Sequence, residues 1–216
     1  MRRTVLAFAL ILALPLAAAA QDSIDKVNGS IHVEAGQQVG DASTVNGSVH
    51  VEDGASVHKA STVNGAVELG DKAQASEIGT VNGAVSLGEE ARVTGKVEAV
   101  NGSIRLDKGA EISGHASNVN GAITLDAAHV AGGLGTVSGD ITVGANSRVE
   151  GGILVDKPGG HFHWSRQRPP HVVIGPHAVV QGTLEFRREV VLEVSDSAQI
   201  GPVKGATPVT FHGDTP

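Results

Sequence analysis

Hydrophobic positions recur along this chain with a period of about 18 residues and alternate with polar positions inside each period. The triplet Val-Asn-Gly, written once as Val-Ser-Gly, begins at seven positions that are 18 or 19 residues apart: Val27, Val45, Val63, Val81, Val100, Val119 and Val137. Four residues after each start lies Ile31, Val49, Val67, Val85, Ile104, Ile123 or Ile141. Six residues after it lies Val33, Val51, Leu69, Leu87, Leu106, Leu125 or Val143. Since a polar residue stands between the two aliphatic columns, the pattern predicts short strands with one face inward.

A fixed repeat of this length is typical of a solenoid, and its richness in Val, Ile, Thr and Gly favours strands. A third, looser inward column is predicted at Val39, Val57, Ala75, Val93, Ile112, Ala131 and Val149. Each repeat is therefore expected to form one coil of an all-β, single-stranded parallel β-helix with a triangular cross-section. Continuing aliphatic rows predict about ten coils and a rod roughly 45–50 Å long. The few aromatics, 2% of the chain, suit a thin aliphatic core.

The Val-Asn-Gly triplet is predicted to mark a bend that every coil shares. We expect its Val to point inward, and its Asn and Gly to lie where the chain turns, because both residues tolerate positive φ. Residues at one bend stack from coil to coil, so their amides can bond one another in a ladder. The predicted structural asparagine ladder contains Asn28, Asn46, Asn64, Asn82, Asn101 and Asn120.

The first twenty residues differ from the repeats. Arg2 and Arg3 precede an apolar run that ends in small residues before Gln21, which is typical of a cleaved secretory signal peptide. The alternative, a retained membrane anchor, is disfavoured because the run is shorter than the ~20 residues of a spanning helix. We expect a periplasmic or secreted protein, with regular coils over 21–155, an inserted loop at 156–171, and C-terminal coils with a short tail over 172–216.

Charge and composition exclude several functions. The formal charge of −7 becomes −9 once a leader containing two arginines and no acids is removed, which disfavours nucleic acid and anionic lipid as partners. The chain has no cysteine, so disulfides, thiolate catalysis and cysteine metal sites are excluded.

Two stretches carry a family resemblance. The segments "VGANSRVEGGILV" and "VVIGPHAVVQGTLEF" resemble the bactofilins, bacterial scaffolding proteins, and "VNGSIHVE" and "VNGAITLD" resemble repeats of bacterial putative-adhesin families. The bactofilin resemblance implies a right-handed β-helix that stacks end to end into filaments without nucleotide or metal. This chain departs from those proteins in its export signal and in coils that begin soon after it.

The inserted loop contains the candidate binding residues. Its only Trp lies among basic residues, and isolated aromatics beside arginines are typical interface anchors. The candidates are His161, Phe162, His163, Trp164, Arg166 and Arg168. His161 and His163 are weak metal candidates, because alternating histidines on an extended strand face one side. His32 and His50 are expected to stack on a solvated face.

We expect no enzyme activity and no cofactor. A polysaccharide-active β-helix needs paired carboxylates. The acids Glu34, Glu52, Asp107 and Asp126 share a column with glycines, so that column is interpreted as a turn. A hexapeptide acyltransferase fits only "IGPHAVV", and the ranks of Thr44, Thr62, Thr80 and Thr136 are too broken for ice binding.

The leading hypothesis is a non-catalytic, exported structural or self-assembling protein of the bacterial envelope. Unpaired strand edges at the terminal coils favour end-to-end self-association, in which Phe211 is a possible assembly residue. The first alternative is a monomeric adhesion or ligand-binding module that uses loop 156–171, with an envelope polymer or protein as partner. The second alternative is the polysaccharide-active enzyme.

Overall fold

The protein is a parallel β-solenoid built only of strands in the part of the chain that the structure describes. The structure is a computed structural model that describes residues 22–158, 168–213 and 215–216. The predicted fold class is confirmed: strands of successive coils pair in parallel, about 18 residues apart. In chain order the strands are β1 (Ile24–Asn28), β2 (Ile31–Val33), β3 (Gln38–Asn46), β4 (Val49–Val51), β5 (Ser56–Asn64), β6 (Val67–Leu69), β7 (Gln74–Asn82), β8 (Val85–Leu87), β9 (Arg92–Val93), β10 (Val97–Asn101), β11 (Ile104–Leu106), β12 (Glu111–Ile112), β13 (Ala116–Asn120), β14 (Ile123–Leu125), β15 (His129–Val130), β16 (Leu134–Thr136), β17 (Ile141–Val143), β18 (Arg148–Val149), β19 (Ile153–Val155), β20 (His171–Ile174), β21 (Val179–Val180), β22 (Leu184–Phe186), β23 (Val191–Ser195), β24 (Gln199–Ile200), β25 (Val203–Lys204) and β26 (Val209–Phe211).

These strands form three faces that the chain visits in turn. The first face is a ladder of ten strands in the described residues, β2-β4-β6-β8-β11-β14-β17-β20-β23-β26, which gives ten coils. The second face contains the beginnings of β3, β5 and β7, followed by β9, β12, β15, β18, β21 and β24. The third face begins with β1 and the ends of β3, β5 and β7, and continues through β10, β13, β16, β19, β22 and β25.

The corner between the second and third faces changes along the rod. Strands β3, β5 and β7 each run nine residues through this corner without a break. From β9 onward a glycine interrupts them, because the coils approach closely there: an added Cβ at Gly114 would lie 2.3 Å from the carbonyl oxygen of Gly95. Between Val93 and Val97 the chain has one residue more than between Ala75 and Ile78, and this accounts for the longer repeats.

The core is a column of aliphatic side chains from all three faces. The two predicted columns of the first face are buried throughout. The third predicted column is wrong at one position: Val130, not Ala131, pairs with Ile112 and is fully buried. The physical reason is that the turn before β15 is one residue shorter than its counterparts, which advances the register.

The third face and the corner after the first face also contribute to the core, and the sequence pattern did not identify these residues. The third face contributes Ala42, Ala60, Ile78, Val97, Ala116, Leu134, Ile153 and Leu184, all buried. The corner after the first face contributes Ala55, Ala73, Ala91, Ala110 and Ala128. These alanines carry little hydrophobic signal along the chain, although their methyl groups are buried. Within the described residues the structure contains no helix long and apolar enough to cross a membrane.

Candidate functional site

The corner that carries the repeated triplet, between the third and first faces, is the most regular surface of the molecule. We call it the triplet corner, meaning the Thr-Val-Asn-Gly segments and their equivalents in coils one to six. In coils two to six the residue before the valine is buried, and the hydroxyls of Thr44, Thr62 and Thr80 donate to the carbonyl oxygens of Gly29, Gly47 and Gly65 over 3.0, 2.8 and 3.1 Å. The threonine ranks are therefore inward-facing ties between coils.

The prediction that the triplet valines point inward is wrong. Because Ala42 and Thr44 already occupy inward positions of β3, the period of two directs Val45 outward. The same holds along the corner, where Val27 is 68% exposed and its successors are 39–41% exposed. These six residues, called the valine strip below, are Val27, Val45, Val63, Val81, Val100 and Val119.

The asparagines beside the strip form the expected ladder. Each side-chain Nδ2 donates to the Oδ1 of the asparagine one coil earlier, at 3.0 Å for Asn46 to Asn28 and 2.9 Å for Asn120 to Asn101. The three steps between them measure 3.0, 3.0 and 3.1 Å. The six side chains are exposed, so the ladder orders the surface of the corner as well as its backbone.

The glycines of the triplet are required mainly by contact between coils. An added Cβ would lie 2.0 Å from the Gly47 carbonyl oxygen at Gly65, and 1.7 Å from the Gly83 carbonyl oxygen at Gly102. Positive φ matters at fewer positions, such as Gly29, where φ is +101° and nothing lies within 4 Å of an added Cβ. Sequence reasoning had attributed these glycines to turn conformation alone.

A shallow apolar groove lies on the first three coils of this corner. It encloses about 410 Å³ and is lined by Val27, Val45 and Val63 together with Ser43, Ser61 and other small or polar residues of the third face. Its lining consists mainly of valine, serine and threonine side chains. Its two charged lining residues, Asp25 and Lys26, belong to the first coil.

The inserted loop leaves the solenoid after β19, which ends at Val155, and returns at β20, which begins at His171. Five of the six predicted binding residues lie outside the described residues: His161, Phe162, His163, Trp164 and Arg166. The sixth, Arg168, pairs with Asp140, whose other carboxylate oxygen accepts the His171 backbone N–H at 2.8 Å. The imidazole of His171 is hydrogen-bonded to Glu193. Asp140 and Glu193 thus fix the returning end of the loop.

Most described histidines lie beside carboxylates. His32 and His50 stack as expected, with ring centroids 4.7 Å apart, and His50 Nδ1 lies 2.9 Å from a Glu68 oxygen. No group of three His, Asp or Glu side chains in the described part of the chain has the geometry to hold a metal ion. The predicted metal pair, His161 and His163, lies outside those residues.

A charged row crosses the third face. Lys96 lies 2.7 Å from Glu98 and 3.5 Å from Glu77, and His115 lies 3.7 Å from Glu98. The hydrogen bond from Lys96 lowers the pKa of Glu98, and the same bond raises the pKa of Lys96. These groups are largely exposed, so the row contributes little to stability.

Further along the third face lies a larger groove of about 510 Å³, at a place where several residues are glycines and have no side chain to fill the space. Gly135 faces outward between Ser117 and Leu154, and corner glycines form one wall. His115 and Arg187 lie at its rim. The groove is lined by apolar residues and a few charged groups. In the sequence, a glycine at an outward-facing strand position, where most other coils have polar residues, is the signal that could have predicted it.

The acidic column that contains Glu52 lies at a turn, where the backbone N–H of Ala55 donates to the Glu52 carbonyl oxygen at 3.0 Å. The next column of the same corner is also acidic. The Oδ1 of Asp53 accepts the backbone N–H of Asp71 at 2.9 Å, and Asp71 does the same for Glu89. Glu52 and Glu68, which line a small depression beside His50, are half exposed.

Comparison of the chain with models of known protein families, with curated proteins and with solved structures found no match.

Proposed function

We propose that the protein is a non-catalytic, exported structural component of the bacterial envelope that assembles by stacking its solenoids end to end. The observation that carries this proposal is the state of the two terminal coils. Among the described residues, β2 pairs only with β4 and β26 only with β23, so each presents one edge of backbone groups without a strand partner. Such an edge is a template for a further parallel strand.

The last coil supports the proposal through its side chains. The inward column of the third face passes from Leu184, which is fully buried, to Val203, which is half-buried. Ile200 continues the second face in the same way. A following coil would cover both residues, as every interior coil covers its predecessor. The terminal coil therefore resembles an interior coil whose successor is missing.

Phe211, the assembly residue expected from sequence, lies at the edge of this surface. The register of β26 places Thr210 against Val194 in the inward column and Phe211 against Ser195 at a corner. Phe211 is half-buried, so it borders the end surface instead of closing it.

The experiment that tests assembly is light scattering after size exclusion, with negative-stain microscopy, over a concentration series of the purified protein. We expect rods that lengthen with concentration and that shorten to single solenoids in Val203→Asp, because a carboxylate would be desolvated at the contact. Val191→Asp, at an exposed, outward-facing valine of β23, serves as the matched control. Deletion of 157–170 should leave rod length unchanged. A wild-type protein that remains monomeric throughout would refute axial stacking.

Export is supported by the leader pattern of residues 1–20 and is tested separately. Cell fractionation of the full chain, followed by mass spectrometry of the mature N-terminus, should find a periplasmic or secreted protein that begins at Gln21. Retention of Arg2 and Arg3 in a cytosolic protein would contradict it.

A further inference from the structure

The valine strip exposes a continuous apolar row that no described residue covers in the first six coils. Its six side chains are 39–68% exposed and follow one another at the coil spacing, so the row is roughly 24 Å long over five steps of about 4.8 Å. Single exposed valines are ordinary on protein surfaces, whereas a contiguous apolar row marks a contact surface.

In coils two to four the residues beside the strip are uncharged, although the chain as a whole has a formal charge of −7; charged neighbours occur at Lys26 in the first coil and at Glu98 in the fifth. In coils two to four the corner reads STVNGS, STVNGA and GTVNGA over 43–48, 61–66 and 79–84. Acidic residues lie at the other corners, for example Asp53, Asp71 and Glu89. This corner is therefore where two acidic molecules can approach with little electrostatic repulsion.

In the seventh coil, a side chain of the same molecule covers the equivalent corner. There the guanidinium of Arg188 donates to the carbonyl oxygen of Val137 at 2.9 Å and reaches the Ser138 hydroxyl at 3.3 Å. Val137 is half-buried, in contrast to the six exposed valines that precede it. A charged side chain ends the apolar row at this point, so the strip has a defined length of six coils.

We propose that the valine strip is a lateral self-association surface, on which the strip of a second copy of this chain packs. The spacing of the valines favours a second copy as the partner. A partner without the solenoid repeat can match one or two valines, whereas an identical strip matches the row over its whole length, because both repeat with the same rise per coil. A contact between identical patches is isologous and closes as a pair.

The asparagine ladder is suited to this contact. Its amides bond one another along the rod, as in the 3.0 Å bond from Asn64 to Asn46, so burying the corner does not leave them without partners. The ladder also holds the surface flat and ordered before the second copy binds, which lowers the entropy lost on association.

Lateral pairing is independent of axial stacking, because pairing changes the width of the particle whereas stacking changes its length. The test measures particle width, by negative-stain microscopy and by the cross-sectional radius of gyration in small-angle X-ray scattering of the purified protein. We expect rods of two solenoids side by side in the wild type. Val63→Lys, in the middle of the strip, should return them to the width of one solenoid and weaken lateral association at least about tenfold.

The matched control is Val191→Lys, since Val191 is 45% exposed and Val63 39% exposed, but only Val63 lies in the strip. Val81→Lys, one coil further, provides a second variant in case Val63→Lys perturbs folding, which far-ultraviolet circular dichroism monitors. In Val203→Asp the rods should shorten and keep their doubled width. Single-width particles in the wild type at every concentration, or doubled width retained in both strip variants, would overturn the proposal. Neither result bears on axial stacking.

Discussion

The first six coils and the last four differ in how their triplet corners are finished. In the first six, valine is exposed and asparagine bonds asparagine from coil to coil, and in coils two to six threonine or its equivalent is buried. In the later coils, long charged side chains bridge the same side of the molecule, as Arg188 does over Val137 and Arg187 does 3.5 Å from Asp156. One continuous core therefore supports two kinds of surface: a regular, repeated one and an irregular, charged one.

The difference has a local cause. The regular corner depends on identical residues at identical positions, because a ladder of amides or hydroxyls needs the same group in each coil. Once Ser138 replaces asparagine and the loop at 156–171 interrupts the repeat, no ladder can continue. Individual ion pairs then take the place of the ladder.

The largest expected effect comes from filling the space between coils of the regular part. In Gly102→Ala the new methyl group would lie 1.7 Å from the carbonyl oxygen of Gly83, so the two coils must separate. We expect a loss of about 3 kcal/mol or more in the free energy of unfolding, measured by chemical denaturation. Gly79→Ala is the control, because nothing lies within 4 Å of its added Cβ. Equal stability of the two variants would show that the coils are not in close contact at this corner.

A smaller effect is expected in the irregular part, at the anchor of the loop. Burial raises the pKa of Asp140, but the hydrogen bonds from the His171 backbone N–H and the Arg168 guanidinium outweigh it, and the net pKa is lowered. A lowered folded-state pKa means that the carboxylate stabilises the fold at pH values above about 4, its ordinary range, and that this stabilisation disappears as the pH falls through the lowered value.

Asp140→Asn should therefore cost about 1–2 kcal/mol at pH 7 and progressively less below pH 4. Thermal unfolding of both proteins as a function of pH measures the difference. Asp25→Asn, in the first coil, is the control and should change the stability only slightly at any pH. Parallel pH profiles for wild type and Asp140→Asn would contradict the assigned role.

One irregularity within the regular part can be repaired. Asn118 occupies a buried position where four other coils have threonine. Its Nδ2 donates to the carbonyl oxygens of Gly102 and Gly121, both at 3.0 Å. Its Oδ1 is buried and has no hydrogen-bond partner within the described residues. Asn118→Thr should raise the free energy of unfolding by about 1 kcal/mol, since the hydroxyl can donate to Gly102 and leaves no orphaned oxygen. Thr62→Asn, the reverse exchange, should lower it. A destabilised Asn118→Thr would show that the second amide bond matters more than the orphaned oxygen.

The smallest effect is expected in the ladder. Asn82→Ala removes one bond to Asn64 and one to Asn101, measured at 3.0 and 3.1 Å. Because these amides are exposed and water replaces part of the loss, we expect a decrease of about 0.5–1 kcal/mol in the free energy of unfolding. Asn28→Ala at the end of the ladder removes a single bond and should have about half the effect. If both variants lose the same amount, the bonds do not act as a ladder.

Several features were within reach of the sequence. Columns such as Ile31, Val49 and Val67 alternate with polar residues at a fixed spacing, and this predicted the parallel solenoid, the coil number and the buried columns of the first face. The asparagine ladder followed from the same spacing, since residues at one bend of a solenoid must stack.

Other features were not within reach. Whether Val45 points in or out depends on which of its neighbours begins the inward alternation, and the buried alanine and threonine of the same strand gave no hydrophobic signal. The prediction of Ala131 as an inward residue was wrong because the turn before β15 is one residue shorter and the next corner is one residue longer than in the first coils. The repeat length is unchanged, so the sequence spacing does not reveal the shift.

The repeat, the strand alternation and the stacking of equivalent residues are thus readable in the chain, because each follows from spacing along it. The residues that meet across coils are set by the fold: the glycines that no Cβ can replace, the valines left outside, and the carboxylates that hold the returning loop. Those contacts depend on distances between segments far apart in sequence, which a single coil does not contain.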